Sequence, residues 1–368
     1  MSPDLIAALR RVREALAESS ADVHPFLHSF LNVMLDKHDG RYDYRSYLAL
    51  ELLDFPDEDT LVHHPRDYQA ELDRSILLLA TDIVKFELDA FHGVSNWLPK
   101  RAAGRKVVEE RCRRTLKALP PYLSRLGMDD IVDPDAHMQS AMALVRAVNA
   151  TMSEEEKLRL QLSHVPVYVV HDEYMFIRIL QCFETVFAWL CAQLKAAIHA
   201  CDSDIHTTIA CLQQCCRHLQ EAAPFFHVLS TLDPESFKAF RIYTEGASAI
   251  QSRNYKRVES LCNKPADERL RSIAYQSVPE VQHRVLDGQD TLNDAYLRAK
   301  ACGRHADETL LELADMMKKF ETGLKRWRQS HYSIAVKMLG TGTGTGYTEG
   351  TPYLNAVRNL PVFTATES

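Results

Sequence analysis

The chain has 368 residues, of which 46% are hydrophobic and 25% charged, and its net charge is −7. That composition suits one large globular domain or two smaller ones, and the negative balance gives no electrostatic footprint for nucleic acid. The longest apolar runs, 76–80 and 186–192, fall far short of the ~20 residues that span a bilayer, so no membrane role is expected.

In chain order, the N-terminus reads as a helix with Ser2 as N-cap and Pro3 in the first turn, without the continuous apolar region of a secretory leader. Apolar periodicity predicts helices over 3–19, 22–37, 44–54, 66–92, 105–125, 135–149, 153–162, 171–200, 204–230, 233–243, 289–302 and 305–339. Ser153 before three glutamates, and Asp233 before Pro234, are capped starts. Only 165–170 has strand character, and it is too short for a sheet. The expected fold class is all-α, without internal repeats. The chain divides softly into a helical N-terminal region, 1–165, and a core, 166–368. Residues 56–165 read as a helical insertion without legible chemistry.

Nine cysteines, an odd number without a CxxC pair, fit a reducing cytoplasm. Cys211, Cys215 and Cys216 lie near His199, Cys201, His206 and His218. Cys211 and Cys215 share a helix face, which favours small buried hydrophobes over zinc ligands.

Four stretches carry possible chemistry. The first runs from Trp327-Arg328-Gln329-Ser330-His331 into a loop in which five of the chain's 13 glycines alternate with threonines between Gly340 and Gly350. A lone helix histidine is by default structural, but Trp327 shares its face and could orient its ring. The loop lacks the lysine of a phosphate-binding loop and follows a helix, so a nucleotide site fails its own context. The second stretch, 236–252, holds Phe237, Phe240, Arg241, Ser248 and Gln251-Ser252. A guanidinium there is suited to a bidentate grip on a carboxylate. The third, 171–184, begins His171-Asp172-Glu173 and includes Phe176, Leu180, Gln181 and Glu184. The fourth is Tyr44-Arg45-Ser46-Tyr47-Leu48.

Taken together, these motifs resemble the tryptophan 2,3-dioxygenase family, and the resemblance covers about 166–354. It implies a helical-bundle haem domain with a helical N-terminal extension. It implies non-covalent haem b with iron on His331. Trp327, Leu180, Gly344 and Gly346 would lie beside the cofactor. The position four residues after His331, where related haem oxygenases carry a cysteine linked to the porphyrin, holds Ala335. The resemblance further implies that Arg241 meets the substrate carboxylate, Phe237 its indole ring, Ser248 the haem side, and Thr345 the ammonium and carboxylate, with Phe176 an apolar residue of the substrate pocket. Tyr44 matches a segment that, in the family, reaches a neighbouring subunit's site, so a homodimer or homotetramer is expected. One departure stands out: the family's distal histidine falls on Leu180, with Gln181 and Glu184 still in register. The expected activity is dioxygenation of tryptophan or a tryptophan derivative. The alternatives are a mono-oxygenase or peroxide-using hydroxylase of an aromatic amino acid derivative, and a non-catalytic haem or amino-acid binding protein.

Overall fold

The computed structural model describes residues 2–18, 25–53, 55, 65–94, 103–133, 135–164, 170–242, 244, 247–340 and 350–365. Among these the chain is all-α, with no strand.

The centre is the helix His171–Cys201, buried on nearly every side. It contains a stretch apolar enough to cross a membrane, but that stretch is packed inside the molecule as the core helix. Asp204 ends the following turn as an N-cap, accepting from the Thr207 backbone N–H at 3.2 Å. The chain then returns as Ile205–Ala222 along the central helix. Pro65–Phe91 packs on the central helix from another side, with Arg105–Ala118 and His137–Thr151 behind it. Arg253–Cys262 also lies against the central helix. The long helix Asp307–Leu339 lies against Ile205–Ala222. Gly323 marks their close approach, since a Cβ there would sit 3.3 Å from Leu219 Cδ1. One apolar core runs through all these elements, from Leu72 to Phe363. The C-terminal segment is fastened to the middle of that long helix and to the helix Leu292–Ala301. Glu321 accepts from the Val362 and Phe363 N–H groups at 3.1 and 3.0 Å, and Asn293 accepts from Thr364 and Ala365 at 3.1 and 2.9 Å.

Several predicted helices differ in extent, each for a local reason. The segment 44–54 is not one helix: Tyr44–Tyr47 ends after a single turn, Ala49 adopts a left-handed φ of 48°, and Leu50–Leu52 is a 3-10 turn. Pro120 divides 105–125 into Arg105–Ala118 and Pro120–Arg125, and Pro224 divides 204–230 into Ile205–Ala222 and Phe225–Leu229. Arg253–Cys262, Pro279–Leu286 and Thr351–Val357 are helices that periodicity missed. The caps stand where they were expected. Ser153 and Glu156 form a reciprocal capping box, and Asp233 accepts from the Ser236 N–H at 2.7 Å. The 165–169 stretch lies outside the described residues.

Candidate functional site

The first three residues of the central helix are structural partners. His171 Nε2 pairs with Glu87 Oε2 at 3.0 Å, Asp172 accepts from Arg111 Nη2 at 2.7 Å, and Glu173 accepts from the Tyr47 hydroxyl at 3.0 Å. They fix the helix against Pro65–Phe91 and the Tyr44–Tyr47 turn. One turn further on, the helix presents Phe176, Leu180, Phe183, Glu184 and Phe187 to a cavity. Their spacing of three and four residues is one face of an α-helix.

That cavity encloses about 1590 Å³ of empty space, counting its open mouth. Its walls bring together Tyr44, Phe176, Leu180, Phe237, Arg241, Ser248, Trp327 and His331, which come from four distant parts of the sequence. Thr345, Gly344 and Gly346 lie outside the described residues.

His331 stands on the long helix Asp307–Leu339, with Ala335 one turn beyond it on the same wall. Its ring is partly accessible because it faces the cavity. Its other surroundings are buried, and that burial pushes the imidazole down to about 4. At neutral pH it is therefore uncharged and keeps a lone pair. Trp327 does not orient it in the way the sequence suggested. The two ring centroids are 5.5 Å apart and tilted at 39°, and the buried indole N–H has no partner among the described residues. Trp327 instead fills an aromatic cluster. Tyr255 stacks on it at 5.2 Å, and Phe187 meets it edge-on at 5.0 Å.

Phe176, Phe237 and Phe240 form a second aromatic corner, with centroid separations of 5.2 to 5.9 Å. Arg241 borders it at the last residue of the helix Pro234–Arg241, and partial burial lowers its guanidinium below the usual range. Ser248 lies on the same wall and caps the Ala249–Gln251 turn; its N–H donates to Gln251 Oε1 at 3.0 Å. The same oxygen accepts from the Tyr44 N–H at 3.1 Å. Tyr44 thus enters the cavity of its own chain.

Reasoning from sequence left Glu184 in register without giving it work. The structure buries it on the cavity wall, where Ser252 Oγ donates to it at 2.5 Å and Asn254 Nδ2 at 3.1 Å. The Tyr44 hydroxyl also hydrogen-bonds it. Burial dominates these donors and pushes the carboxyl up to about 7. A second group that sequence reasoning missed lines another part of the cavity. Glu259 accepts from Lys256 at 3.0 Å, Arg269 at 2.9 Å and Arg328 at 2.8 Å. The signal was present in part: Arg328 lies inside the Trp327–His331 motif, and Lys256 and Glu259 stand three residues apart on one helix.

No family model matches the chain. It is similar to the tryptophan 2,3-dioxygenase of Burkholderia multivorans, with 26% identity over 235 residues, spanning 54% of this chain and 75% of the relative. The tryptophan 2,3-dioxygenase of Burkholderia cenocepacia is 25% identical over the same shares. That of Bradyrhizobium diazoefficiens is 26% identical over 232 residues, covering 54% of this chain and 83% of the relative. With one cavity gathering its motifs, the chain is similar over about half its length to tryptophan 2,3-dioxygenases, as a diverged relative of that family.

Proposed function

We propose that this protein is a haem-dependent dioxygenase that adds both atoms of O2 across the indole C2–C3 bond of tryptophan or a tryptophan derivative, giving a formyl-kynurenine-type product. An enzyme of the haem-dependent oxidoreductase kind is what its family implies. The observation that carries the reading is the gathering of His331, Arg241 and the Phe176–Phe237–Phe240 corner around one cavity.

The residues present fit a haem. His331 offers a neutral imidazole without a hydrogen-bond partner among the described residues. Around it are the apolar side chains that a porphyrin face requires, including Leu180, Ile334 and Met338. Haem b would supply the iron at which dioxygen is activated. His331 would hold that iron, and Ala335 has no thiol for a covalent link. Arg241 would hold the amino-acid carboxylate by a charge-assisted, bidentate pair. Phe176, Phe237 and Phe240 would receive the aromatic side chain and exclude water from it. Leu180 neither gives nor takes a proton, so the substrate's own ammonium would be left to serve as a donor near the oxygen. Tyr44, Glu184 and Ser252 form a hydrogen-bonded polar wall one turn along the same helix.

Leu180 favours a second reading, in which the enzyme inserts a single oxygen into another aromatic amino acid derivative. A bare haem carrier is disfavoured, because it has no use for a carboxylate partner beside an aromatic corner. The test is to supply the reduced, haem-loaded protein with aromatic amino acids in air and follow products by mass. A gain of two oxygens, abolished in His331→Ala along with the histidine-ligated spectrum, is expected. A gain of one oxygen selects the hydroxylase, and no product from any aromatic amino acid sinks both enzymatic readings.

A further inference from the structure

The three cations around Glu259 outnumber it. Lys256, Arg269 and Arg328 are matched, among the described residues, by one carboxylate, which leaves two positive charges in excess at a buried wall. Burying charge without a partner is costly, and a cluster so arranged is stabilised by whatever anion completes it. The donors are not exhausted. Lys256 carries three N–H groups and, among the described residues, bonds Glu259 alone. Arg269 directs only Nη2 at Glu259, with a further hydrogen bond to Tyr353. Arg328 is held rigidly by Tyr255 OH at 2.6 Å, Leu360 O at 2.8 Å and Glu259. All three cations line the cavity that His331 faces, and Arg328 precedes His331 by three residues on the same helix.

We propose that Lys256, Arg269 and Arg328 form the seat for a pair of ligand carboxylates, those of the propionate side chains of a haem whose iron His331 holds. This rests on the haem reading above. The charge count points to a dianion. A free α-amino acid brings one carboxylate and one ammonium, and so leaves the excess uncompensated, whereas the two carboxylates of haem b neutralise it. The amino acid's carboxylate has its own partner in Arg241, which borders the aromatic corner. The seat therefore assigns an orientation: the polar edge of the porphyrin lies toward Glu259, and its apolar edge is left to the aromatic walls. Burial also lowers the Lys256 ammonium to about 8, a cost that an added carboxylate would relieve.

The test titrates the haem-depleted full-length chain with ferric protoporphyrin IX and, separately, with its dimethyl ester, following the Soret band and tryptophan fluorescence. The free acid is expected to bind at least tenfold more tightly than the diester. Lys256→Met and Arg269→Met should each weaken the free acid by about tenfold and leave the diester unchanged, while Arg269→Lys recovers part of the loss. Circular dichroism selects the variants that remain folded. If the wild-type chain binds both porphyrins equally, the carboxylate seat is wrong and the haem reading stands. If it binds neither, both fall. If the Met variants lose affinity for an aromatic amino acid but keep it for the free-acid haem, the seat belongs to the substrate's carboxylate and the proposal is overturned.

Discussion

His331 and Glu184 are ionisable side chains that line one cavity from different helices, and burial moves them in opposite directions. The imidazole drops to about 4 and the carboxyl rises to about 7. Each shift favours the neutral form, as a low-dielectric wall demands. For Glu184 this has a consequence for stability. In the unfolded chain the carboxyl loses its proton near its ordinary 4.5, while the folded protein retains it to about 7. Between those values the unfolded state releases a proton that the folded state keeps. The stabilisation is complete below 4.5 and declines as pH rises toward 7. The decline is on the order of 3 kcal/mol. Glu184→Gln should flatten it: urea unfolding at pH 5 and pH 8 should show a smaller drop for the variant than for the parent. An identical drop in both proteins means that Glu184 is solvated or already ionised. A sequence motif could point to His331, but not to this behaviour of Glu184. Its donors Tyr44, Ser252 and Asn254 come from other segments, and their convergence is a property of the fold.

Among the elements, what was legible depended on how local the cause was. Capping is local, so Ser153 and Asp233 were read correctly from a few residues. Proline breaks are local too, yet the apolar periodicity continues across Pro120 and Pro224 and concealed them. The short helices between 253 and 286 were hidden because their buried faces use Lys256, Arg257 and Tyr275 as well as aliphatic residues. For the central helix the register mattered most. Phe176, Leu180, Phe183, Glu184 and Phe187 share the cavity face, so Leu180, which the resemblance sets at the family's distal-histidine position, lines the same space as His331. Leu180→His would restore a polar group at that point without altering helix length. It should change the visible spectrum of the haem-loaded protein and shift relative turnover toward tryptophan. If spectrum and substrate preference both remain those of the parent, Leu180 does not meet the reacting centre, and the assignment of a distal wall to this helix fails.

At the scale of the molecule, the cavity is supported by a buried ionic knot that sequence reasoning assigned to a region without legible chemistry. Arg111, on the helix Arg105–Ala118, is 1% exposed. It donates to Glu87 at 2.9 Å, to Asp172 at 2.7 Å and to Thr231 Oγ1 at 3.0 Å. Asp172 also accepts from the Asp233 N–H at 2.9 Å. One guanidinium thus joins Pro65–Phe91, the start of the central helix, and the turn that leads into Phe237 and Arg241. Glu87 keeps a normally ionised carboxylate despite its burial, because His171 and Arg111 hold its pKa down. Removing Arg111 would leave Asp172 buried without its cation and Glu87 with His171 alone. Losing one partner of a buried ion pair typically costs about 3–5 kcal/mol, more than the intact pair contributes over an apolar replacement, because the remaining charge is stranded. Arg111→Met keeps most of the volume and should lower stability by about that amount in urea unfolding. Arg111→Lys should fall between Met and the parent, since it restores the charge without the planar fork that reaches three acceptors. If Met and the parent unfold at the same urea concentration, the N-terminal helices are docked by their apolar faces alone. The site would then owe its geometry to the central and C-terminal helices without help from the 56–165 region.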